Sequence, residues 1–403
     1  MVEICSKGDC VACGACVVAC PKKCISMVYD QEGFLYPNIN QSDCIDCGLC
    51  RKVCLISGMQ EKSNNKPLTF ACVHRNKDIR MQSSSGGSFS AFAEQIINEN
   101  GIVFGAQFNS EWEVVHASVD NLIDLEKLKG SKYVQSKMGE IYFNVQSYLK
   151  NNKKVLFSGT PCQIAGLKKF LRREYENLIT IDLVCHGVPS PQIFKLYLLE
   201  HTSKIKKFSK IEKISFRDKR NGWKNYSFYL KSQLKNGKFF ETCESNKRNL
   251  YMRGYLENLL VRPSCYNCPT KGFSAGSDIT IGDFWGVENI LPRLSDNNGV
   301  SVIFITSDKG KKLFELVKKQ MMVVQISFED GKNGNSEIDR WLLPHPKRDL
   351  FFKNYSSRHV SNYIKYCLSL PFKKKVILYI RKCIVLLFGK ITYEHLKNLM
   401  VRI

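Results

Sequence analysis

No stretch of about 18 uncharged apolar residues occurs in the 403-residue chain, which excludes an ordinary membrane-spanning helix. The opening residues, MVEICSKGDC, lack the apolar core of a secretory signal, so the expected compartment is the cytoplasm. There is no G-x-G-x-x-G fingerprint, which argues against a Rossmann nicotinamide site. No helix-turn-helix, RRM or OB-type signature supports nucleic-acid binding. Acidic residues are scarce: 37 Asp and Glu against 60 Lys and Arg leave a formal net charge of +23. Such an excess points toward anionic partners, whether nucleic acid, anionic lipid or acidic protein. Disorder as the main state is excluded, because 44% hydrophobic and 24% charged residues make a globular composition. The length suits two or three domains.

What the chain has in quantity is cysteine, 18 residues in all. Without an export signal these are expected to be metal ligands more than disulfides. Cys10-x2-Cys13-x2-Cys16-x3-Cys20-Pro21 is repeated as Cys44-x2-Cys47-x2-Cys50-x3-Cys54, with Leu55 where the proline would stand. This is the bacterial two-cluster ferredoxin run, in which the fourth cysteine of each run serves the other cluster. The expected ligand sets are therefore Cys10, Cys13, Cys16 and Cys54 for one 4Fe–4S cluster, and Cys20, Cys44, Cys47 and Cys50 for the other. Gly14 and Gly48 allow the tight backbone between ligands. Residues 1–60 read as an α+β ferredoxin-like module, and the polar stretch QEKSNNKP at 60–67 as a linker.

From residue 68 short apolar strands alternate with amphipathic helices, an α/β pattern. Strands are expected at Thr69–His74, Gly101–Phe108, Trp112–Val119, Val155–Ser158 and Leu178–Val184. Helices are expected at Gly87–Asn100, Glu140–Lys150, Gln163–Arg172 and near Pro191–Glu200, with a β-rich patch over 211–242. Cys162 and Cys185 each follow a predicted strand, and Cys265-x2-Cys268 lies between Pro263 and Pro269. Loops at the carboxyl ends of such strands gather in one crevice, so Cys162 and Cys185 can meet. A helix N-terminus at Cys162 would favour its thiolate. Four thiolates suit a third cluster or a structural zinc, and spacing alone leaves both readings open beside that of scattered buried cysteines.

Six segments carry a family resemblance, in order over about residues 68–330: Ser85-Gly86-Gly87, Gly130–Ser136 (GSKYVQS), Ser158–Leu167 (SGTPCQIAGL), Asp182–Pro191 (DLVCHGVPSP), Cys265-x2-Cys268, and Asp278–Gly286 (DITIGDFWG). The chain resembles the beta subunits of coenzyme F420 (deazaflavin) hydrogenases and dehydrogenases, here with a fused ferredoxin module. The resemblance implies an α/β domain over 68–330 that binds FAD and one 4Fe–4S cluster, with Cys162, Cys185, Cys265 and Cys268 as that cluster's ligands. It implies flavin contacts from Ser85, Gly86, Gly87 and Ser88, from Lys132, Tyr133, Gln135 and Ser136, and from Thr160, Gln163, His186 and Gly187. Physically, a Ser/Gly-rich helix N-terminus can hold a pyrophosphate, Lys132 can neutralise a phosphate or a reduced flavin, and polar groups beside ligands can tune the ring. Each has a plainer reading as a cap, a solvated lysine or a structural polar group. His186 is the single candidate for a catalytic proton role. Asp283 and Trp285 line the pocket or pack the next helix. Cys5, Cys24, Cys72, Cys243, Cys367 and Cys383 are assigned to packing.

The expected function is an iron–sulfur flavoprotein oxidoreductase with three 4Fe–4S clusters and FAD. Electrons pass between a ferredoxin-type donor and a deazaflavin or other small organic substrate, in either direction. Some ferredoxin-fused chains of this kind are associated with surface-polysaccharide synthesis. The alternative is an electron-relay subunit without its own substrate. Cofactor charge leaves about +15, which suits an acidic ferredoxin or flavodoxin as partner. Residues 331–403 form a C-terminal extension, of which 331–371 read as a substrate lid or a packed element. In 372–403, Lys374, Lys375, Arg381 and Lys382 share one helical arc, with Val376, Ile380, Cys383, Ile384 and Leu387 outside it. That is the pattern of a helix lying on anionic membrane at its inner face, or of a terminal helix with a solvated basic edge.

Overall fold

The computed structural model describes residues 3–58, 66–355 and 359–369. The N-terminal module is built from the duplicated cysteine run. Gly14 (φ 80°) and Gly48 (φ 71°) take the left-handed conformation from which α1 (Ala15–Ala19) and α2 (Leu49–Lys52) start. Between these helices β1 (Ile25–Tyr29) and β2 (Leu35–Ile39) form an antiparallel hairpin. Each short helix has a cysteine of its run near both ends, so α1 and α2 each connect two thiol clusters.

The second part is organised by two sheets. The larger starts with β3 (Leu68–His74), β4 (Ile102–Phe108), β5 (Val114–Val119), β6 (Val155–Gly159) and β7 (Leu178–Leu183). A separate antiparallel sheet follows, made of β8 (Phe208–Asp218), β9 (Ser227–Leu234) and β10 (Phe239–Ser245). The larger sheet then resumes with β11 (Ile279–Asp283), β12 (Ser301–Ile305) and β13 (Met321–Ile326), in the order β13-β3-β12-β11-β7-β6-β4-β5. Its centre, β4, β6, β7 and β11, is parallel, and β5 and β12 flank it antiparallel. β6 is buried at all five positions, as expected of a parallel strand covered on both faces.

Helices α3 (Lys77–Gln82), α4 (Ser88–Asn98), α5 (Leu122–Leu128), α6 (Ile141–Lys150), α7 (Pro161–Leu171), α8 (Pro191–Ser203) and α9 (Leu250–Leu256) connect these strands. Further on come α10 (Val287–Ile290), α11 (Asp308–Val317), α12 (Phe328–Asn333), α13 (Arg348–Asn354) and α14 (Val360–Leu368). One sheet face packs on α4, α5 and α11 through Phe92, Ile96, Leu125 and Phe314. The other packs on α6 and α7 through Tyr142, Val145, Ile164 and Leu167. Val11, Ala15, Val53 and Leu55 of the N-terminal module enter that same core.

Boundaries moved where local chemistry overrode the apolar pattern. Trp112 (φ 60°) belongs to the turn before β5, because the Asn109 side chain accepts from the Glu111 and Glu113 N–H groups. α7 starts at Pro161, two residues earlier than expected, and ends at left-handed Arg172. After residue 330 the chain remains packed: Phe351, Phe352, Val360 and Ile364 join a core with α8 and α9. Arg348 reaches back to pair with Glu32 of the N-terminal module at 2.5 Å. The expected basic helix over 372–403 lies outside the described residues. Among those described, no helix is long and apolar enough to cross a membrane.

Candidate functional site

Three cavities lined by thiols lie in succession. Cys10, Cys13, Cys16 and Cys54 line the first, and Cys20, Cys44, Cys47 and Cys50 the second. Cys162, Cys185, Cys265 and Cys268 converge on the third. Among the described residues no group of three or more His, Cys, Asp or Glu side chains is placed to hold a metal ion.

Two cysteines assigned to packing stand in these cavities. Cys5 joins the first, and Cys24 joins the second with its sulfur 3.4 Å from that of Cys20. Donation from the Cys5 thiol holds Cys10 down to about 6 and Cys54 down to about 7. The signal for this was their proximity in sequence to the runs, which spacing rules alone do not score. The expected helix-dipole effect at Cys162 is outweighed: burial pushes it up to about 12, and Cys265 up to about 11.

The third cavity shares walls on both sides. Val11 lines it and the Cys10 cavity. Residues 183–188, the end of β7 and the loop after it, line it and a larger cleft of about 1400 Å³ counting its open mouth. That cleft lies at the carboxyl ends of β4, β6, β7 and β11, where open α/β sheets place their ligands. The residues of the third cavity suit a cluster: besides four thiols, Arg262 Nη2 and Ser264 Oγ are buried there without hydrogen-bond partners.

Most expected flavin residues come to the cleft, and several of them already have protein partners. Ser85 lines it while its hydroxyl donates to Val300 O (2.9 Å) and its carbonyl accepts from Lys219. Ser88 Oγ, in the first turn of α4, lines it and is buried without a partner. Tyr133 stacks on Tyr255 at 4.9 Å and accepts from Arg217 Nη1. Ser136 and Gln163 form a network with His116: Gln163 Nε2 donates to Ser136 Oγ (2.8 Å), which lies 2.9 Å from His116 Nδ1. Because His116 Nε2 faces the Ser158 carbonyl at 3.1 Å, that nitrogen carries the proton and Nδ1 accepts from Ser136. Burial pulls His116 down to about 4, so it is neutral. Thr160 Oγ1 sits 3.2 Å from Cys162 Sγ, and its N–H donates to Gln163 Oε1 at the start of α7.

Two expected flavin residues lie away from the cleft, and a third has other partners. Gln135 does not line the cleft; its amide donates to Val11 O (3.2 Å) and accepts from Arg262, at the seam with the N-terminal module. Gly86 is likewise behind the cleft wall, where its N–H donates to Ser301 Oγ and a side chain would strike the Cys72 carbonyl. Lys132 lines the cleft but turns its amine to the Lys127 and Lys129 carbonyls at the end of α5, both at 2.9 Å. Gly87 and Gly187 line the cleft. His186 lies on the shared wall with both ring nitrogens facing protein: Nε2 is 2.7 Å from Asn258 Oδ1, and Nδ1 is 3.7 Å from Glu337.

The sequence reading missed Arg217, His116 and Lys219, and left Asp283 undecided. Arg217, almost fully buried, forms a bidentate pair with Asp283 (2.9 and 3.0 Å), to which Trp223 also donates. Lys219 donates to the carbonyls of Arg80, Ser85 and Asn298 and so fixes the Ser83–Gly87 loop.

Comparison with known proteins agrees with this organisation. Residues 152–329 match the family described as the C terminus of the coenzyme F420 hydrogenase/dehydrogenase beta subunit, and residues 9–57 match a 4Fe–4S dicluster domain. Residues 152–329 thus carry the C-terminal domain of this beta-subunit family, and residues 9–57 a 4Fe–4S dicluster domain. It is 25% identical over 323 residues to the coenzyme F420-dependent sulfite reductase of Methanocaldococcus jannaschii, covering 78% of this chain but only 47% of that protein. It is 22% identical over 347 residues to one of the subunits of the F(420)H(2) dehydrogenase of Methanosarcina mazei, covering 83% of this chain and 88% of that one. A chain in the F420-reducing [NiFe] hydrogenase complex from Methanosarcina barkeri is similar at 16% identity and TM-score 0.44, over 76% of this chain and 94% of that chain; so loose a likeness carries no argument.

Proposed function

We propose that this protein is an iron–sulfur flavoprotein oxidoreductase that couples one-electron donors to a two-electron acceptor. In this reading the three thiol cavities each hold a 4Fe–4S cluster, with Cys162, Cys185, Cys265 and Cys268 holding the third, and FAD occupies the cleft. The clusters supply one-electron steps and the flavin supplies hydride transfer. The observation that supports this most is the succession of shared walls: Val11 between the first and third cavities, and residues 183–188 between the third cavity and the cleft.

The chain's own residues do the rest. At the seam Val11, Ala15, Val53 and Leu55 of the N-terminal module are buried against α6 and α7. Ser88 Oγ and the start of α4 offer donors to a pyrophosphate. The neutral His116–Ser136–Gln163 network presents fixed dipoles to the cleft without adding charge. Reducing one deazaflavin, or another small organic acceptor such as an intermediate of surface-polysaccharide synthesis, takes two electrons and two protons. Two single-electron donors are oxidised for each acceptor reduced, and the reverse direction is equally allowed. A basic chain suits an acidic ferredoxin or flavodoxin in that role.

The test is anaerobic purification with iron, zinc and flavin counted, then a screen of acceptors with reduced ferredoxin. The expected result is about 12 iron and one FAD per chain, from three clusters of four, with turnover of an acceptor. About eight iron, zinc present and no flavin would overturn the reading. A second reading, an electron-relay subunit, is favoured by the match along 88% of one component of a dehydrogenase. It prevails if the fully loaded chain is reduced by ferredoxin yet turns over no acceptor alone.

A further inference from the structure

We infer that Arg262 raises the reduction potentials of two clusters together, as an uncompensated positive charge wedged between the Cys10 cavity and the Cys162 cavity. Ser264 adds a second donor on the Cys162 side alone. The Cys162 half of this inference rests on the proposed third cluster, whereas the Cys10 half does not.

Arg262 is fixed by its backbone between two ligand loops. Its N–H donates to Val188 O at 3.0 Å, and its carbonyl accepts from Cys265 N at 3.0 Å. The side chain then crosses to the N-terminal module. Nε donates to the Cys10 carbonyl at 2.8 Å and Nη1 to Gln135 Oε1 at 3.0 Å, while the guanidinium lies 4.1 Å from the Tyr36 ring centroid. Nη2 has no partner, and the residue has no exposed surface.

Comparison with the other buried arginines isolates what is unusual. Arg80 pairs with Asp296, Arg217 with Asp283 and Arg348 with Glu32, each through two nitrogens on two carboxylate oxygens. Among the described residues Arg262 is the most deeply buried of the four and forms no carboxylate pair. A guanidinium cannot shed its proton to escape burial. Burying it unpaired is expensive unless an anion comes from elsewhere. The thiolate-bound clusters on its two sides are that anion, and each gains a further negative charge on reduction. The cation and its free N–H therefore favour the reduced state, the same lever by which hydrogen bonds to cluster sulfur raise potentials. Ser264, whose Oγ is also buried and unpartnered, lines the third cavity and not the Cys10 cavity.

The experiment is a potentiometric titration followed by EPR on the holoprotein, with Arg262→Gln, Arg262→Lys and Ser264→Ala. The cluster of the Cys20 cavity serves as internal reference and is identified by its altered signal in Cys47→Ser. Arg262→Gln is expected to lower the reduced-to-oxidised ratio of the Cys10 and Cys162 clusters at least tenfold at fixed potential, about 59 mV for one electron. The reference cluster should stay put, Arg262→Lys should recover most of the loss, and Ser264→Ala should move the Cys162 cluster alone. Unchanged potentials in iron-loaded Arg262→Gln would overturn the inference, as would an equal fall in all three. Should the native protein hold eight iron, the third cluster and the proposed function fall. The Cys10 cluster then decides alone: a shift supports the role of Arg262 and constancy ends it. If Arg262→Gln fails to load iron, the wild-type order decides, with the reference cluster expected lowest; finding it highest overturns the inference.

Discussion

Lys132 serves two ends of one problem. Its amine ends α5 by donating to two last-turn carbonyls, where the helix's negative pole favours a cation. Burial nevertheless pulls its pKa from 10.5 down to about 7. Between those values the free protein holds the amine neutral, and an anion bound in the cleft would restore the charge. Binding of FAD to the apoprotein should therefore take up a proton above pH 7, and affinity should fall as pH rises, by up to about tenfold per unit. Titrations from pH 6 to 9 check this: Lys132→Met should bind more weakly at pH 6 and show a flat profile. A flat wild-type profile would remove Lys132 from the proposed flavin site. The sequence offered Lys132 as a cation but not its partners, because these depend on where α5 ends. The two N-terminal cysteine sets were far more legible, since three of the four thiols in each are consecutive in one short loop. Arg217, His116 and Asp283 were not, for they come from β8 of the smaller sheet and from β5 and β11 of the larger, and only the packing of the two sheets pairs Arg217 with Asp283.

Helix α7 concentrates several functions in eleven residues. Thr160 caps it, Pro161 pre-sets its first turn, Cys162 faces the third cavity and Gln163 both closes the cap and ties the helix to Ser136. Thr160→Ala should destabilise the holoprotein by about 1 kcal/mol, read as a lowered denaturation midpoint, with Thr160→Ser close to wild type. An unchanged midpoint in the alanine variant would mean that the tertiary contacts of α7 hold it without a cap. Strand-to-helix steps such as β6 to α7 were legible because Gly, Thr and Pro mark them. The elements beyond residue 330 were not: α13 and α14 are short, their aromatic residues are irregularly spaced, and the partners of α14, helices α8 and α9, lie more than 100 residues earlier. Likewise nothing local distinguishes antiparallel β12 from the parallel strands beside it.

At the scale of the molecule, the crossing of the cysteine runs sets which variants behave alike. Cys54→Ser should perturb the same EPR signal as Cys13→Ser, although 41 positions separate them, and leave the signal altered by Cys47→Ser intact. If Cys54→Ser instead matched Cys47→Ser, the runs would each hold their own cluster. The two halves of the chain also meet more closely than a tether between independent domains requires. A methyl group added at Gly166 of α7 would stand 2.8 Å from Cys13 Cβ, 2.9 Å from its sulfur and 3.0 Å from the Tyr142 hydroxyl. The seam thus tolerates hydrogen at that position and nothing larger without a shift of backbone. A ferredoxin module taken from another protein would have to arrive with its own matching partner surface, so recombination that separates residues 3–58 from Gln135, Gly166 and Arg262 would yield two misfitting parts.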